Sequence, residues 1–175
     1  MIVSGASAGA PGREHRAPVE QPRWNTTTEI QESAMALVSH AHTVWEGTLF
    51  EGSGTVFFDS SNLPQQKVTW KARAEEHGGL TSPEELIAAA HSSCFSMALS
   101  NALAKAGTPA KSLHTEAQVT FQPGEGIKGI HIVVRGEVPG ISADDFVKAA
   151  EGAKENCPVS KALAATPITL DAALK

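Results

Sequence analysis

From His40 onward, apolar and polar positions alternate in short runs, and a period of two predicts strands. His42 to Phe50 and Thr55 to Asp59 read as two strands separated by EGSG, a glycine-bearing hairpin turn. Gln66 to Ala74 alternates throughout. Val68, Trp70 and Ala72 fall on one face and Lys67, Thr69, Lys71 and Arg73 on the other, which predicts a third strand broken by His77-Gly78-Gly79.

The pattern changes at Ser82. Ser82 fits an N-cap, Pro83 the first helical position and Glu85 the third, which together predict a capping box. Glu84 and Glu85 complement the positive end of the helix dipole. The helix is predicted to run to Ala106, with Gly107 as a left-handed C-cap and Pro109 preventing continuation. Apolar or small residues occupy nearly every face from Leu86 to Leu103, and a helix apolar all round is buried all round. A domain of ~140 residues rarely surrounds such a helix alone. Burial against a second copy is the economical solution, so the pattern predicts a homodimer with this helix near its centre.

Two further strands are predicted, Ser112 to Gln122 and Gly129 to Val138, joined by PGEGIKG. A second helix starts at Ser142 as N-cap, with Asp144 and Asp145 in its first turn. Phe146, Ala150, Ala153 and Cys157 form one helical stripe along it. Pro158 ends this helix yet suits the first position of another, so VSKALAA predicts a new short helix with Cys157 near its N-cap. Pro167 to Ala172 reads as a last strand. The order of elements predicts an α+β architecture with mainly antiparallel pairing.

Composition narrows the picture. Residues 1–34 hold Ala, Gly, Pro, Ser and Thr with little periodicity, as in SGASAGAPG, and read as a flexible extension. Met35 precedes the patterned stretch, so the extension is either native or upstream of the true start, and residues 35–175 are the expected domain. The net charge is −5, which argues against nucleic acid as a main partner. VWEGTLFE is too short and too charged to span a membrane, and the first residues lack a basic region before an apolar run. A cytoplasmic, reducing setting is therefore expected, where a purely structural disulfide is the less common use of two cysteines.

Those cysteines carry the candidate chemistry. Cys94 lies within LIAAAHSSCFSMALSNALAKA, with Ser92, Ser93 and His91 nearby, and Cys157 lies in ENCPVSKAL. Each has a bland reading as a small apolar packing residue. Each also has a reactive one. Cys157 would meet the positive end of the following helix, while Cys94 sits mid-helix and needs a nearby cation to ionise. From residue 35 on, the only arginines are Arg73 and Arg135, and composition does not choose between them. The cysteine and histidine spacing lacks the close-set pattern of a structural zinc site. His91 reads as a structural core histidine.

TSPEELIAAAHSSCFSMALS followed by ENCPVSKAL closely resembles the OsmC branch of the OsmC/Ohr family of thiol peroxidases. HTVWEGTLFEGSGTV and ITLDAALK also resemble that branch, so the resemblance runs from about residue 41 to 175. It implies an OsmC-like intertwined α+β homodimer, with antiparallel sheets around two long central helices and two active sites at the subunit interface. It implies that Cys94 is the peroxidatic cysteine, Cys157 the resolving cysteine, Arg73 (on a strand before the main helix) the activating cation, and Glu84 the group that holds it. It further implies hydroperoxide reduction through a Cys94 sulfenic acid and a Cys94–Cys157 disulfide. A dihydrolipoyl protein or small dithiol would be the reductant, and no metal, haem or flavin would be needed. Phe95, Met97 and Leu99 read either as an apolar lining that favours organic hydroperoxides over hydrogen peroxide or as plain core. The rival reading is a redox-sensing or apolar-ligand-binding dimer without turnover.

One geometric expectation follows. Glu84 and Cys94 are ten residues apart, ~15 Å along a helix at ~1.5 Å per residue. They cannot closely share one arginine within a chain, so Arg73 and Glu84 are expected to serve the partner's Cys94.

Overall fold

The hairpin that opens the domain is placed by its glycines. In the computed structural model, which describes residues 36–175, β1 (His42–Glu46) pairs antiparallel with β2 (Ser53–Phe57), with Glu46 opposite Ser53. The turn therefore spans 47–52, ahead of the expected EGSG. Gly47 takes φ 86°, and a Cβ on Gly52 would fall 2.3 Å from the Thr48 carbonyl oxygen, so only glycine fits there. The reading of residues 1–34 as a flexible extension lies outside the described residues.

The third strand is shorter than its alternation predicts. β3 (Gln66–Val68) pairs antiparallel with β2 and stops, and Trp70–Ala74 forms a helical turn, α1. Thr69 is responsible. Its hydroxyl accepts the Ala72 backbone N–H at 3.1 Å, an N-cap that satisfies a donor no strand neighbour serves. Arg73 thus projects from a helical turn, and its expected placement on a strand is corrected.

The main helix, α2 (Pro83–Lys105), follows its sequence signals closely. Ser82 Oγ accepts the Glu85 N–H at 3.1 Å, Pro83 occupies the first position, and Gly107 takes φ 81° after the end. Only half of the capping box forms, because the Glu85 carboxylate accepts the Thr81 hydroxyl at 2.6 Å. By length and composition α2 is apolar enough to cross a membrane; here it lies on β4 and against the next two helices. Glu84, His91, Phe95, Leu99 and Leu103 form its buried side, and Ala89, Ser93, Met97, Ser100 and Ala104 stand exposed.

β4 (Ser112–Gln122) and β5 (Gly126–Glu137) form a long antiparallel pair through a turn tighter than expected. After β5 come α3 (Ala143–Asn156) and α4 (Pro158–Ala162), then β6 (Ile168–Leu174). β6 runs parallel to β5, the one parallel pair among the described strands. The two intervening helices make this possible, since a parallel partner needs a long crossover. Phe95, Leu99, Leu103, Ile132, Val134, Phe146 and Ala150 are fully buried between this sheet and the helices. Each large apolar side chain contributes about 1.5–3 kcal/mol by leaving water. A Cβ on Gly136 would sit 2.6 Å from the Phe146 ring, so the close approach of α3 to β5 depends on that glycine.

Candidate active site

The fold brings the two cysteines together. Both are free thiols, near enough to perturb each other's ionisation, Cys94 partly exposed on α2 and Cys157 fully buried. Cys157 closes α3 and is the N-cap of α4, as the Asn-Cys-Pro sequence predicts. Pro158 starts the new helix, whose first turn lies on the Cys157 side with backbone N–H groups that no earlier turn satisfies; the sulfur makes no capping hydrogen bond with them.

The electrostatics of the two sulfurs differ. Burial pushes the Cys157 thiol up, but the polar groups around the sulfur, those of Ser160, Val159 and the Cys94 thiol, outweigh it and hold Cys157 below the ordinary thiol range. Burial pushes Cys94 up, and the neighbouring Cys157 adds to the rise against an opposing hydrogen bond at Val159. Within one chain ionisation is thus easier at Cys157 than at Cys94. A peroxide cannot reach that sulfur, because it has no exposed surface. The reachable sulfur is Cys94, and among the described residues no cation lowers its pKa.

The cation stands elsewhere. Arg73 grips Glu84 through three hydrogen bonds, Nε to the two carboxylate oxygens at 3.1 and 3.2 Å and Nη2 to Oε1 at 2.8 Å. The Glu84 side chain is 7% exposed and the Arg73 side chain 32%, so the carboxylate is sealed and the guanidinium keeps an open side. Phe121 of β4 lies under Arg73, 4.1 Å from the guanidinium carbon to the ring centroid. Arg73 also borders a cavity of about 370 Å³ walled by Trp45, Leu49, Val68, Trp70 and Leu86. Neither cysteine lines it.

Of the four sequence-predicted site residues, the chain brings together two pairs, Cys94 with Cys157 and Arg73 with Glu84. Glu85 serves the helix start and stays out of the clamp. Arg135 is engaged by Asp171 on β6, through hydrogen bonds at 2.8 and 3.2 Å. Phe95 and Leu99 are core, and Met97 is 71% exposed, so these three do not form the apolar wall beside Arg73. Sequence reasoning passed over Ser160 and Phe121. Ser160 was findable as the third residue of a helix capped by Cys157. Nothing local marks Phe121, which only the fold brings under Arg73.

Comparison with known proteins agrees with this architecture. The family described as OsmC-like protein matches residues 76–172. Peroxiredoxin OsmC of Escherichia coli (strain K12) is 45% identical over 134 residues, covering 75% of this chain and 92% of that protein, and the Shigella flexneri protein of the same name gives the same values. Among solved structures, the organic hydroperoxide resistance protein OhrB of Bacillus subtilis superposes with a TM-score of 0.59 at 24% identity, over 78% of this chain and 98% of that one. An OsmC organic hydroperoxide resistance protein from Legionella pneumophila gives 0.58 at 19% identity, over 79% and 99%. By the family match and by the 45% identity to its curated relatives, this chain belongs to the OsmC family.

Proposed function

We propose that this protein is a thiol-dependent peroxidase that reduces organic hydroperoxides, and hydrogen peroxide less well, in the cytoplasm. The observation that carries the reading is the closeness of an accessible Cys94 to a buried, readily ionised Cys157. In the first step the Cys94 thiolate attacks the terminal peroxide oxygen. The O–O bond breaks, Cys94 becomes a sulfenic acid, and the alkoxide leaves as alcohol after taking a proton. In the second step the Cys157 thiolate attacks the Cys94 sulfur, forming the Cys94–Cys157 disulfide and expelling hydroxide, which is protonated to water. A dithiol, either a dihydrolipoyl protein or a small molecule, then reduces the disulfide and is itself oxidised to a disulfide.

The working unit in this proposal is a homodimer. Arg73 and Glu84 of one protomer serve Cys94 of the other, because within a protomer the clamp and the thiols are separate. The exposed small-residue stripe of α2 around Met97 permits close packing of two such helices. The apolar cavity beside Arg73 supports a substrate with an organic group, and the open edge of the guanidinium would orient the peroxide oxygens and lower the Cys94 pKa.

Steady-state turnover of cumene hydroperoxide with dithiothreitol tests the reading. Wild type should turn over, Cys94→Ser should not, and Cys157→Ser should perform one reduction without disulfide recycling. Stoichiometric oxidation with no recycling by any dithiol would favour the redox-sensing alternative.

A further inference from the structure

Arg73 is held from two sides, and only one of them is a carboxylate. Glu84 accepts hydrogen bonds from Nε and Nη2, while Nη1 makes none among the described residues. A side-on fork of this kind fixes the guanidinium within its own plane. Tilting out of that plane costs little until the donor angles fall toward ~120°. The ring of Phe121 covers one face of the group, 4.1 Å from the guanidinium carbon to the centroid. We propose that Phe121 is a positioning residue for peroxide reduction, its ring setting the tilt of Arg73 and so aiming the unengaged Nη1 edge at the peroxide oxygens. This rests on the peroxidase reading, in which Arg73 orients those oxygens.

The ring is placed by the long sheet. The pairing of β4 with β5 runs evenly to Thr120, which faces Gly129, and then slips by one, so that Phe121 faces Ile127. A bulge of this kind bends a strand pair and re-aims the side chains beside it. Phe121 then meets α1 through two side chains. Trp70 and Arg73 stand at the i and i+3 positions of α1, which puts them on one face of the turn. Trp70 meets the Phe121 ring edge-on, with centroids 6.2 Å apart and planes at 89°. Phe50, from the β1–β2 turn, meets Trp70 in the same way at 5.7 Å and 84°. A five-residue helix is too short to be stable alone, so packing decides where it lies. One ring on β4 therefore seats the helical turn and covers the cation that the turn carries, attracting it through the negative face of the π system. Phe121 does not border the apolar cavity beside Arg73. Its effect on a substrate passes through the guanidinium.

The test compares Phe121→Met, which keeps apolar bulk but has no π face, with Phe121→Tyr, which keeps the ring. The first readout needs no peroxide. The Arg73 Nε–H signal, assigned by its loss in Arg73→Lys, should have a side-chain nitrogen order parameter near the rigid value of about 0.85. Phe121→Met should lower it below about 0.6, and Phe121→Tyr should hold it. The second readout is kinetic. Phe121→Met should cut kcat/KM about tenfold, the scale of a partly desolvated cation–π contact, and by the same factor for cumene hydroperoxide and hydrogen peroxide. Both substrates present an O–O group to Arg73, and only one has an organic group. In the Arg73→Ala/Glu84→Gln background, Phe121→Met should change neither value. An unmoved Arg73 order parameter in Phe121→Met would overturn the proposal, as would Phe121→Tyr behaving like Phe121→Met with both variants folded. A loss confined to cumene hydroperoxide would also overturn it, making the ring an apolar wall. So would an equal loss without Arg73, which would make it general packing. A wild type that reduces neither peroxide would instead count against the peroxidase reading and leave the relaxation result standing.

Discussion

The two halves of the domain are finished to different degrees. The second half, β4 to β6 with α2, α3 and α4, encloses a core in which Phe95, Phe146, Leu99 and Ile132 are fully buried. The first half, β1 to β3 with α1, encloses almost none. Every residue of β1 is exposed, and Val44, Trp45, Leu49 and Phe50 are 51%, 41%, 50% and 71% open to solvent. The cysteines belong to the finished half and the arginine to the unfinished one. An open apolar sheet bearing an oriented cation is half of a site, and a sulfur pair without a cation is the other half. The difference favours assembly in which each half is completed by a second copy.

The sharpest way to break that comparison is to mix two inactive proteins. Arg73→Ala should raise the Cys94 pKa and reduce peroxide turnover by about 10²–10³, the usual scale for removing a positioned charge. Cys94→Ser should be inactive. If the site forms across subunits, unfolding the two together and refolding them should recover about a quarter of wild-type activity, because about half of random dimers are mixed and each has one intact site. No recovery would place Arg73 and its cysteine in the same chain. Arg73→Ala also strands a sealed carboxylate, so Arg73→Ala/Glu84→Gln serves as the control for folding.

Smaller effects probe each half separately. Met97→Glu, on the exposed stripe of α2, should weaken the dimer and lower activity in proportion to the monomer found by sedimentation, with the circular dichroism of the fold retained. An unchanged dimer would move the interface away from α2. Gly136→Ala pushes a methyl against Phe146 and should destabilise the finished half by about 1–3 kcal/mol in urea melts. His91 gives the smallest effect. Its folded pKa lies below the unfolded value of 6.5, so the unfolded chain binds the proton more readily. Stability is full above pH 6.5 and falls as pH drops toward the folded pKa. His91→Gln should flatten that acid limb of the stability profile.

Much of this was legible in the residues themselves. Ser82, Pro83 and Gly107 set the bounds of α2, and the Phe146–Ala150–Ala153–Cys157 stripe is buried at every position. Cys-Pro marked a helix break with Cys157 at the cap of the following helix. The failures have one physical character. Alternation over Trp70–Ala74 matched a strand, but a single threonine cap decided for a helical turn, and in so short a segment one hydrogen bond outweighs propensity. β6 was readable as a strand but not as a parallel one, since its direction is set by the two helices before it. Phe121 under Arg73 and Ser160 before His91 are contacts between elements distant in sequence, which periodicity does not report.

Cys157 is the hinge residue of two helices, the last of one and the cap of the next. In the proposed cycle its thiolate would complement the positive start of α4, and as half of a disulfide it no longer could. Each turnover of that cycle would remove the charge from the cap of a five-residue helix and later return it. Amide protons at Val159 and Ser160 should exchange faster in the oxidised protein. A spent enzyme would thus differ from a ready one in shape as well as in sulfur chemistry, giving a reductant something to recognise before any electron moves.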